Sequence, residues 1–360
     1  MAQQWILRKG TKRSGFRYAT SAGKAVVAPA TLARIDALRI PPAWTEVHVA
    51  PSPSAAVQAW GFDAKGRKQY RYHDVAVERG QLRKYHRVRR MAHDLPAIRA
   101  AVARDLRDAG LGKRRVTAGV VRLIGDGFFR VGNERYAEEN RTFGIATLQK
   151  RHVTAHDDRV EFRYVGKKSI EQRQTVCDPA LVAFVRELMD APGRRLFRYR
   201  DDAGGWCDLT ARDVNEYLHD LLGVPYTAKD FRTWGGTLRV ATILADLGPA
   251  ASEREAKSNV VVAVRLVAAE LGNTPTVCRN SYVHPLVIAR YLDEGTTIAP
   301  FLHARGRPRA RRPHSTAHHP EEQALIRFLD RYFPERRRRR DRRRRARERA
   351  RDRRDEPWAA

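Results

Sequence analysis

The chain has 360 residues, 42% of them hydrophobic, which is enough to build two domains with cores and excludes a wholly disordered protein. Its net charge of +29 and its pI of about 10.9 indicate a polyanionic partner, and nucleic acid is the first candidate. A membrane surface, or a charge that only keeps the protein soluble, is the alternative. Residues 336–354 hold 14 Arg against 3 acidic residues, so this segment carries +11 and leaves +18 on the rest.

Residues 1–82 are expected to form a small β-rich domain. The segments FRYAT and EVHVA are short and extended, and VQAWGFDAKGRKQYRYH has the pattern of two strands joined by a turn at Gly66. One helix is predicted near residues 30–38. The N-terminus lacks the apolar core of a signal peptide, so we expect a soluble, cytoplasmic protein with no membrane partner.

From about residue 83 to residue 300 the pattern becomes mainly helical. Apolar residues recur at helical spacing in LPAIRAAVARDL, and VTAGVVRLIGDGFF predicts a second, apolar helix. Between residues 146 and 177 three alternating segments predict a three-stranded antiparallel sheet with turns at HDD and GKK. Five further helices follow from Asp178 onward, several of them starting at a Thr, Ser or Asp cap.

Residues 301–360 read as a basic, largely disordered tail, with one short helix possible at ALIRFLDRYF. The Arg-rich segment adds salt-sensitive DNA affinity in the leading interpretation, with RNA, a protein partner or no role left as alternatives. The three cysteines, at positions 177, 207 and 278, are too far apart for a CxxC pair or a zinc site, which is typical of reduced cytosolic thiols.

Five residues in the helical domain are candidates for chemistry. Arg130 follows the helix end GDGFF, and Lys167 lies in the predicted turn between two strands. Arg232 lies at the start of a helix, where side-chain charge and helix dipole both favour an anion, and Gly235 and Gly236 behind it permit close backbone approach. Asn273 follows the helix end LG, and Tyr282 comes nine residues later. Each residue alone is compatible with an ordinary structural role.

In this order the five residues resemble the type IB DNA topoisomerases. The segments LIGDGFFRVGNERYAEENRTFGIATL, YVGKKS, KDFRTWGGT and LGNTPTVCRNSYVHP are similar to the bacterial and poxvirus-like branch over residues 20–295. The resemblance implies an α+β fold with a β-rich N-terminal domain and a helical catalytic domain of the topoisomerase IB and tyrosine recombinase type. It also implies duplex DNA as the partner, gripped by a monomer that closes as a clamp, and no metal or other cofactor.

The resemblance assigns a catalytic role to each of the five residues. Arg130 and Arg232 would clamp the non-bridging phosphate oxygens, and Tyr282 would form a 3′-phosphotyrosyl link that makes religation independent of ATP. Lys167 would protonate the leaving 5′-oxygen. Asn273 departs from the His of poxvirus and eukaryotic members and would donate a hydrogen bond to phosphate without acid–base chemistry.

Eight further residues are expected to contact DNA by the same resemblance. Tyr70 and Tyr72 share one face of a strand and Gln69 the other. A polar helix beginning near Asn133 would enter the major groove. The full set is Arg67, Gln69, Tyr70, Tyr72, Asn133, Arg135, Tyr136 and Lys229.

Two alternatives remain open on the sequence. A tyrosine recombinase shares the catalytic fold, but Lys229 stands where recombinases have the His of H-x-x-R, which favours a topoisomerase. A non-catalytic nucleoid protein would account for the charge, but it has no need for a phosphate clamp and a tyrosine at this spacing.

Overall fold

The computed structural model describes residues 4–302 and 316–334, and it divides the chain into two compact units after Tyr85. The sequence interpretation placed this boundary after residue 82. Each unit has its own hydrophobic core. The architecture is mixed, with an antiparallel sheet in the first unit and a mainly helical second unit, as predicted.

The first unit is built on a five-stranded antiparallel sheet in the order β2-β1-β3-β4-β5. Its elements are β1 (Ile6–Thr11), β2 (Gly15–Thr20), α1 (Pro29–Ala37), β3 (Thr45–Val49), β4 (Val57–Phe62) and β5 (Lys68–Tyr72). One face of the sheet packs against Ile35 of α1. The predicted hairpin forms between β4 and β5, and Gly66 in its turn has the positive φ of +67° that favours glycine.

Helix α2 (Asp74–Asp105) begins nine residues before the predicted start of the helical region and runs through the division at Tyr85. The apolar spacing that marks this helix starts only at Leu95, because the first half of the helix is rich in Arg, Lys and His. Within the second unit its buried side chains include Val88, Met91 and Leu95. Local polarity therefore hid the first turns of the helix.

Ten more helices belong to the second unit in the described part of the chain. They are α3 (Lys113–Gly127), α4 (Glu134–Asn140), α5 (Pro179–Asp190), α6 (Ala211–Leu222), α7 (Ala228–Leu247), α8 (Glu253–Glu270), α9 (Pro275–Tyr282), α10 (Pro285–Glu294), α11 (Ala299–Leu302) and α12 (Pro320–Tyr332). Side chains of Asp178, Thr210, Ser252 and Thr274 cap four of them. The caps at Asp178 and Thr210 are those that the sequence indicates, whereas α8 begins before the predicted segment SNVVVAVRLVAAELG and α9 was not among the predicted helices. Helix α7 is buried along most of its length and forms the centre of this unit.

The predicted three-stranded antiparallel sheet is present as β6 (Val153–Ala155), β7 (Val160–Val165) and β8 (Glu171–Val176). Its first strand is shorter than predicted, because residues 145–147 and 150–152 form 3₁₀ turns. A small hairpin of β9 (Arg198–Arg200) and β10 (Trp206–Asp208) was not predicted. The turn between β7 and β8 carries Lys167.

Helix α12 forms where the sequence allows a short helix at ALIRFLDRYF, but it is packed and does not belong to a loose tail. Its apolar side chains Leu325, Phe328 and Leu329 are buried in the core of the second unit. Glu322 is 2% exposed and forms a two-pronged ion pair with Arg99 of α2, at 2.9 and 2.7 Å. Residues 316–334 are therefore part of the folded unit, while the Arg-rich segment 336–354 lies outside the described residues.

In the described ranges no single helix has the length and apolar composition to cross a bilayer. The pair α8 and α9 meets those two criteria only when taken together across a bend of 92°.

Candidate active site

The start of helix α7 is held firmly by the side chain of Asp230. This carboxylate accepts hydrogen bonds from the backbone N–H and the hydroxyl of Thr227, both at 3.0 Å. It also accepts two hydrogen bonds from the guanidinium of Arg87, at 3.0 and 2.8 Å. The N-cap of α7 is thus Thr227.

Arg232 lies in the second turn of α7 and is only 4% exposed. Its terminal nitrogens donate to the backbone oxygens of Phe128 and of Leu271, the latter at 2.8 Å. Its Nε is buried and has no hydrogen-bond partner in the described parts of the chain, and no carboxylate there pairs with this guanidinium. Burial, and next the charge of Arg130, lower the pKa of Arg232 from its ordinary value.

Arg130 reaches the same region from the loop that follows α3. The helix ends at Phe128 in a left-handed conformation, which turns the chain toward β8 and α8. One terminal nitrogen of Arg130 donates to Gly272 O at 2.7 Å and to Asn273 Oδ1 at 2.6 Å. Since Arg130 occupies the amide oxygen, the Nδ2 of Asn273 faces away from it, and this nitrogen is buried without a partner among the described residues.

Tyr282 is the last residue of α9 and is half-buried beneath Arg232, whose guanidinium carbon lies 5.1 Å from the centre of the phenol ring. Burial alone would raise the pKa of this phenol. The positive charge of Arg232 and its hydrogen bond to the phenol, with smaller contributions from Arg130 and Lys229, outweigh burial and lower the pKa below its ordinary value. The environment therefore favours the phenolate, which is the nucleophilic form.

Helix α7 approaches its neighbours closely at the glycine pair that the sequence singled out. A Cβ built on Gly235 would lie 2.0 Å from the ring of Phe128, and one on Gly236 would lie 2.9 Å from Tyr282 O. These contacts bring the Arg130 loop and the tyrosine helix against the same stretch of α7. The expectation of close backbone approach at this pair is confirmed.

Lys167 is the one candidate that the structure does not bring to the others. It is exposed in the turn after β7, where Lys168 and Ser169 have positive φ angles of 63° and 58°. In the part of the chain that the structure describes, no hydrogen bond or ion pair joins Lys167 to Arg130, Arg232 or Tyr282. Arg130, Arg232, Asn273 and Tyr282 thus form one cluster, and Lys167 lies on a neighbouring exposed turn.

Comparison with known proteins connects this cluster to a family. The sequence profile of the eukaryotic DNA topoisomerase I catalytic core matches residues 67–299, and that of the bacterial DNA topoisomerase IB N-terminal domain matches residues 15–63. The DNA topoisomerase 1B of Acanthamoeba polyphaga mimivirus is 32% identical over 265 residues, 72% of this chain and 79% of the viral protein. The chain belongs to the type IB DNA topoisomerases.

Other relatives are more distant. The DNA topoisomerase 1B of Vaccinia virus (strain Copenhagen) is 22% identical over 65% of this chain and 72% of its own length. The DNA topoisomerase 1 beta of Arabidopsis thaliana is 26% identical over 52% of this chain and only 20% of its own length. The family resemblance inferred from the four motifs is confirmed by these matches.

The predicted DNA contacts of the first unit surround the turn between β4 and β5. Tyr70 and Tyr72 are 42% and 51% exposed, and their rings stack with centroids 5.8 Å apart. The carboxylate of Asp63 accepts from Arg67 Nε at 2.8 Å and from Gln69 Nε2 at 2.9 Å. The first unit therefore presents one exposed aromatic pair, and two polar side chains held by Asp63, at the predicted DNA-contact positions.

The remaining predicted contacts lie on α4 and α7 in the second unit. Asn133 caps α4 by accepting from Tyr136 N at 3.4 Å. Arg135 pairs with Glu139 one turn later, and Tyr136 is 46% exposed. Lys229 is exposed at the start of α7. The polar helix starts where the sequence predicted, while the contacts with DNA stay predictions.

Sequence reasoning missed two groups that support the cluster. Asp230 and Arg87 fix the start of α7, and Gln172 of β8 is 5% exposed and lies 3.5 Å from Arg130 Nη1. These partners are 143 and 42 residues apart in the chain, so no local spacing could reveal them. The weak signal that was available is an Asp three residues after a Thr at a helix start.

Within residues 4–302 and 316–334 no group of three or more His, Cys, Asp or Glu side chains is placed to hold a metal ion. The three cysteines there are free thiols, with Cys278 buried. Burial raises the pKa of the Cys278 thiol to about 11, which disfavours a reactive thiolate.

Proposed function

We propose that this type IB topoisomerase relaxes supercoiled duplex DNA by cleaving one strand through Tyr282, allowing rotation, and resealing the strand. Arg130 and Arg232 bind the scissile phosphate, and Asn273 donates a hydrogen bond to it. Lys167 supplies the proton for the leaving group. Duplex DNA is the partner of the family, and we propose that it binds over Arg130, Arg232, Asn273 and Tyr282 of the second unit.

One observation carries the proposal: a guanidinium is buried beside the phenol with no anion to neutralise it. Arg232 has backbone carbonyls and the Tyr282 phenol as partners but no carboxylate, and its Nε and the Nδ2 of Asn273 are both buried donors without acceptors in the described ranges. Buried donors and charges left in this state are costly, and native proteins normally pair them. A phosphodiester supplies both the negative charge and the acceptor oxygens that this site lacks.

The chemistry follows from the positions of these groups. Tyr282 loses its phenolic proton to solvent and attacks the phosphorus as the phenolate, a P–Oη bond forms, and the bond to the 5′-oxygen breaks. The charge that develops on the non-bridging oxygens lies beside Arg232 and Arg130, which stabilise it more strongly than the ground state. The 5′-oxygen takes a proton from Lys167, and the reverse steps reseal the strand with no change in the number of phosphodiester bonds.

The exposed position of Lys167 indicates when it acts. Its turn is solvent-exposed, so its ammonium is free to meet a leaving oxygen on a duplex bound over the cluster. We expect bound DNA to complete the site by holding this turn in place. Nucleophile activation and phosphate binding are then properties of the buried cluster, and leaving-group protonation depends on the duplex.

The wider setting is also part of the proposal. The stacked Tyr70 and Tyr72, the Asp63-bound Arg67 and Gln69, and the Asn133 end of α4 contact the duplex. The enzyme acts as a monomer clamped on DNA, in the cytoplasm and associated with the nucleoid. The Arg-rich segment adds sequence-independent affinity that weakens with salt.

The test is relaxation of supercoiled plasmid with EDTA present and ATP absent, for the wild type and Tyr282→Phe side by side. The wild type should relax the plasmid and leave a covalent adduct when quenched with detergent, and the Phe variant should bind DNA without doing either. A wild type that only retards the plasmid would refute the proposal and favour a nucleoid-packaging protein. Activity confined to one target site with synapsis would indicate a recombinase instead.

A further inference from the structure

The backbone changes direction directly after Tyr282. Helix α9 ends at Tyr282, Val283 is extended, and α10 starts at Pro285 with His284 as its N-cap. A short helix that ends in this way leaves carbonyl and amide groups without helical partners. The side chains that hydrogen-bond to these carbonyl and amide groups therefore fix the position of the Tyr282 phenol.

Those groups come from helix α7, one turn beyond Arg232. The Thr237 hydroxyl accepts from His284 N at 3.0 Å and lies 3.2 Å from Tyr282 O. It also lies 2.7 Å from Thr233 O, so its single proton serves one of these two carbonyls. Thr237 is 1% exposed, so its hydroxyl, and not solvent, satisfies these backbone groups.

Gly236 completes the contact. A Cβ at this position would lie 2.9 Å from Tyr282 O, closer than a side chain tolerates, and 3.2 Å from Tyr282 Cβ. The nucleophile backbone therefore rests directly on the α7 backbone. Helix α7 carries Arg232 four residues before Gly236, so one rigid helix sets both the phenol and the charge above it.

We propose that Thr237 is a positioning residue for the cleavage reaction, because its hydroxyl fixes the Tyr282–His284 backbone on α7. This inference rests on the proposed function of Tyr282. Loss of the hydroxyl leaves the phosphate clamp intact and lets the nucleophile drift from it. A displacement of about 1 Å in a reacting group is enough to slow a reaction by about 10²-fold.

The test compares Thr237→Val, which removes the hydroxyl and keeps the shape, with Thr237→Ser, which keeps the hydroxyl. The matched control is Thr242→Val on the same helix, where the hydroxyl only donates to Leu238 O at 3.0 Å. Covalent adduct formation is measured under enzyme excess on supercoiled plasmid, at a temperature where circular dichroism shows every variant folded. Duplex affinity is measured with each change placed in a Tyr282→Phe background.

We expect Thr237→Val to form adduct about 10- to 100-fold more slowly with unchanged duplex affinity. Thr237→Ser should recover most of the rate, and Thr242→Val should match the wild type. Gly236→Ala provides a second variant with the same expected loss, should Thr237→Val unfold at the assay temperature.

The inference is wrong if Thr237→Val and Gly236→Ala form adduct at the wild-type rate, or if Thr237→Ser is as slow as Thr237→Val. Its failure is separable from failure of the proposed function. A wild type that forms no adduct refutes the proposed function, whereas an active wild type with an equally active Thr237→Val refutes only this positioning role.

Discussion

The ion pair between Glu322 and Arg99 offers a sharp test of whether the C-terminal helix belongs to the catalytic unit. Glu322 lies at the start of α12 and is almost fully buried, and its two oxygens accept from Arg99 at 2.9 and 2.7 Å. The same carboxylate accepts from His319 N at 3.0 Å. Glu322→Gln keeps the shape but turns one acceptor into a donor that faces other donors.

The expected cost follows from these contacts. A hydrogen bond to a charged group contributes about 1.5–3 kcal/mol, and at least one is lost in the amide. Arg99 is partly solvent-exposed, so water offsets part of the charge it leaves, and the larger penalties of fully buried pairs do not apply. For a domain of this size about 2–4 °C is lost per kcal/mol, so the melting temperature should fall by about 3–12 °C at pH 7.

The effect should also depend on pH in a defined direction. Burial would raise the pKa of Glu322, but the hydrogen bonds and charge of Arg99 outweigh it and lower the pKa below its ordinary value. A carboxyl with a lowered pKa in the folded state stabilises the protein above its unfolded pKa of about 4.3. This stabilisation disappears as pH falls through the lower, folded-state value, so the difference between wild type and Glu322→Gln should shrink in acid.

The assay is thermal unfolding followed by circular dichroism at pH 7 and at several values below pH 4.5. Glu321→Gln removes the same charge from the same helical turn without touching Arg99, and it serves as the control. Equal melting temperatures for the two variants at pH 7 would refute the reasoning. So would a Glu322→Gln deficit that stays constant in acid.

Two further predictions concern the tail and the phenol. Truncation after residue 334 should leave relaxation intact at low salt and weaken it as salt rises. Truncation after residue 302 also removes α12 and should abolish the soluble, active enzyme. Equal activity of the two truncated proteins at low salt would contradict the role of α12. Because the charge of Arg232 lowers the pKa of Tyr282, Arg232→Gln should raise that pKa and move the pH–rate profile of the remaining adduct formation to higher pH. Arg232→Lys keeps the charge and should move the profile less. Coincident profiles for the wild type and Arg232→Gln would show that the charge does not act on the phenol.

Local patterns predicted most elements of both units. Four of the five strands of the first unit, the β7–β8 hairpin and most helices of the second carry clear periodicity, turn residues and caps, and these signals act over a few residues. Helix α2 begins earlier than predicted because its first half is polar, and the short helix predicted at α12 is packed in the core and not part of a loose tail. In α12 the apolar stripe is short and lies next to an Arg-rich segment, whereas its stability comes from distant partners such as Arg99.

The site was predictable as a set of residue types and not as a geometry. The order of Arg130, Lys167, Arg232, Asn273 and Tyr282 was visible because the family chemistry requires those groups. The groups that hold them in place were not, since Asp230, Gln172 and Thr237 act across 42 to 143 residues of chain. The order of the reacting residues can be recognised in the sequence, whereas the contacts that hold them in position join distant segments and are seen only in the folded structure.

The charges around Arg232 explain why the site is left with an unpaired cation. Asp230 lies two residues away and is buried, but its carboxylate is occupied by Arg87 and by the Thr227 cap. A carboxylate on Arg232 itself would stabilise the unliganded protein and would cancel the field that lowers the pKa of Tyr282. Because Asp230 has its own partners and no carboxylate in the described ranges pairs with Arg232, the fold keeps a net positive charge beside the phenol. The scissile phosphate then becomes the anion that completes the site, so that substrate binding and nucleophile activation draw on the same guanidinium.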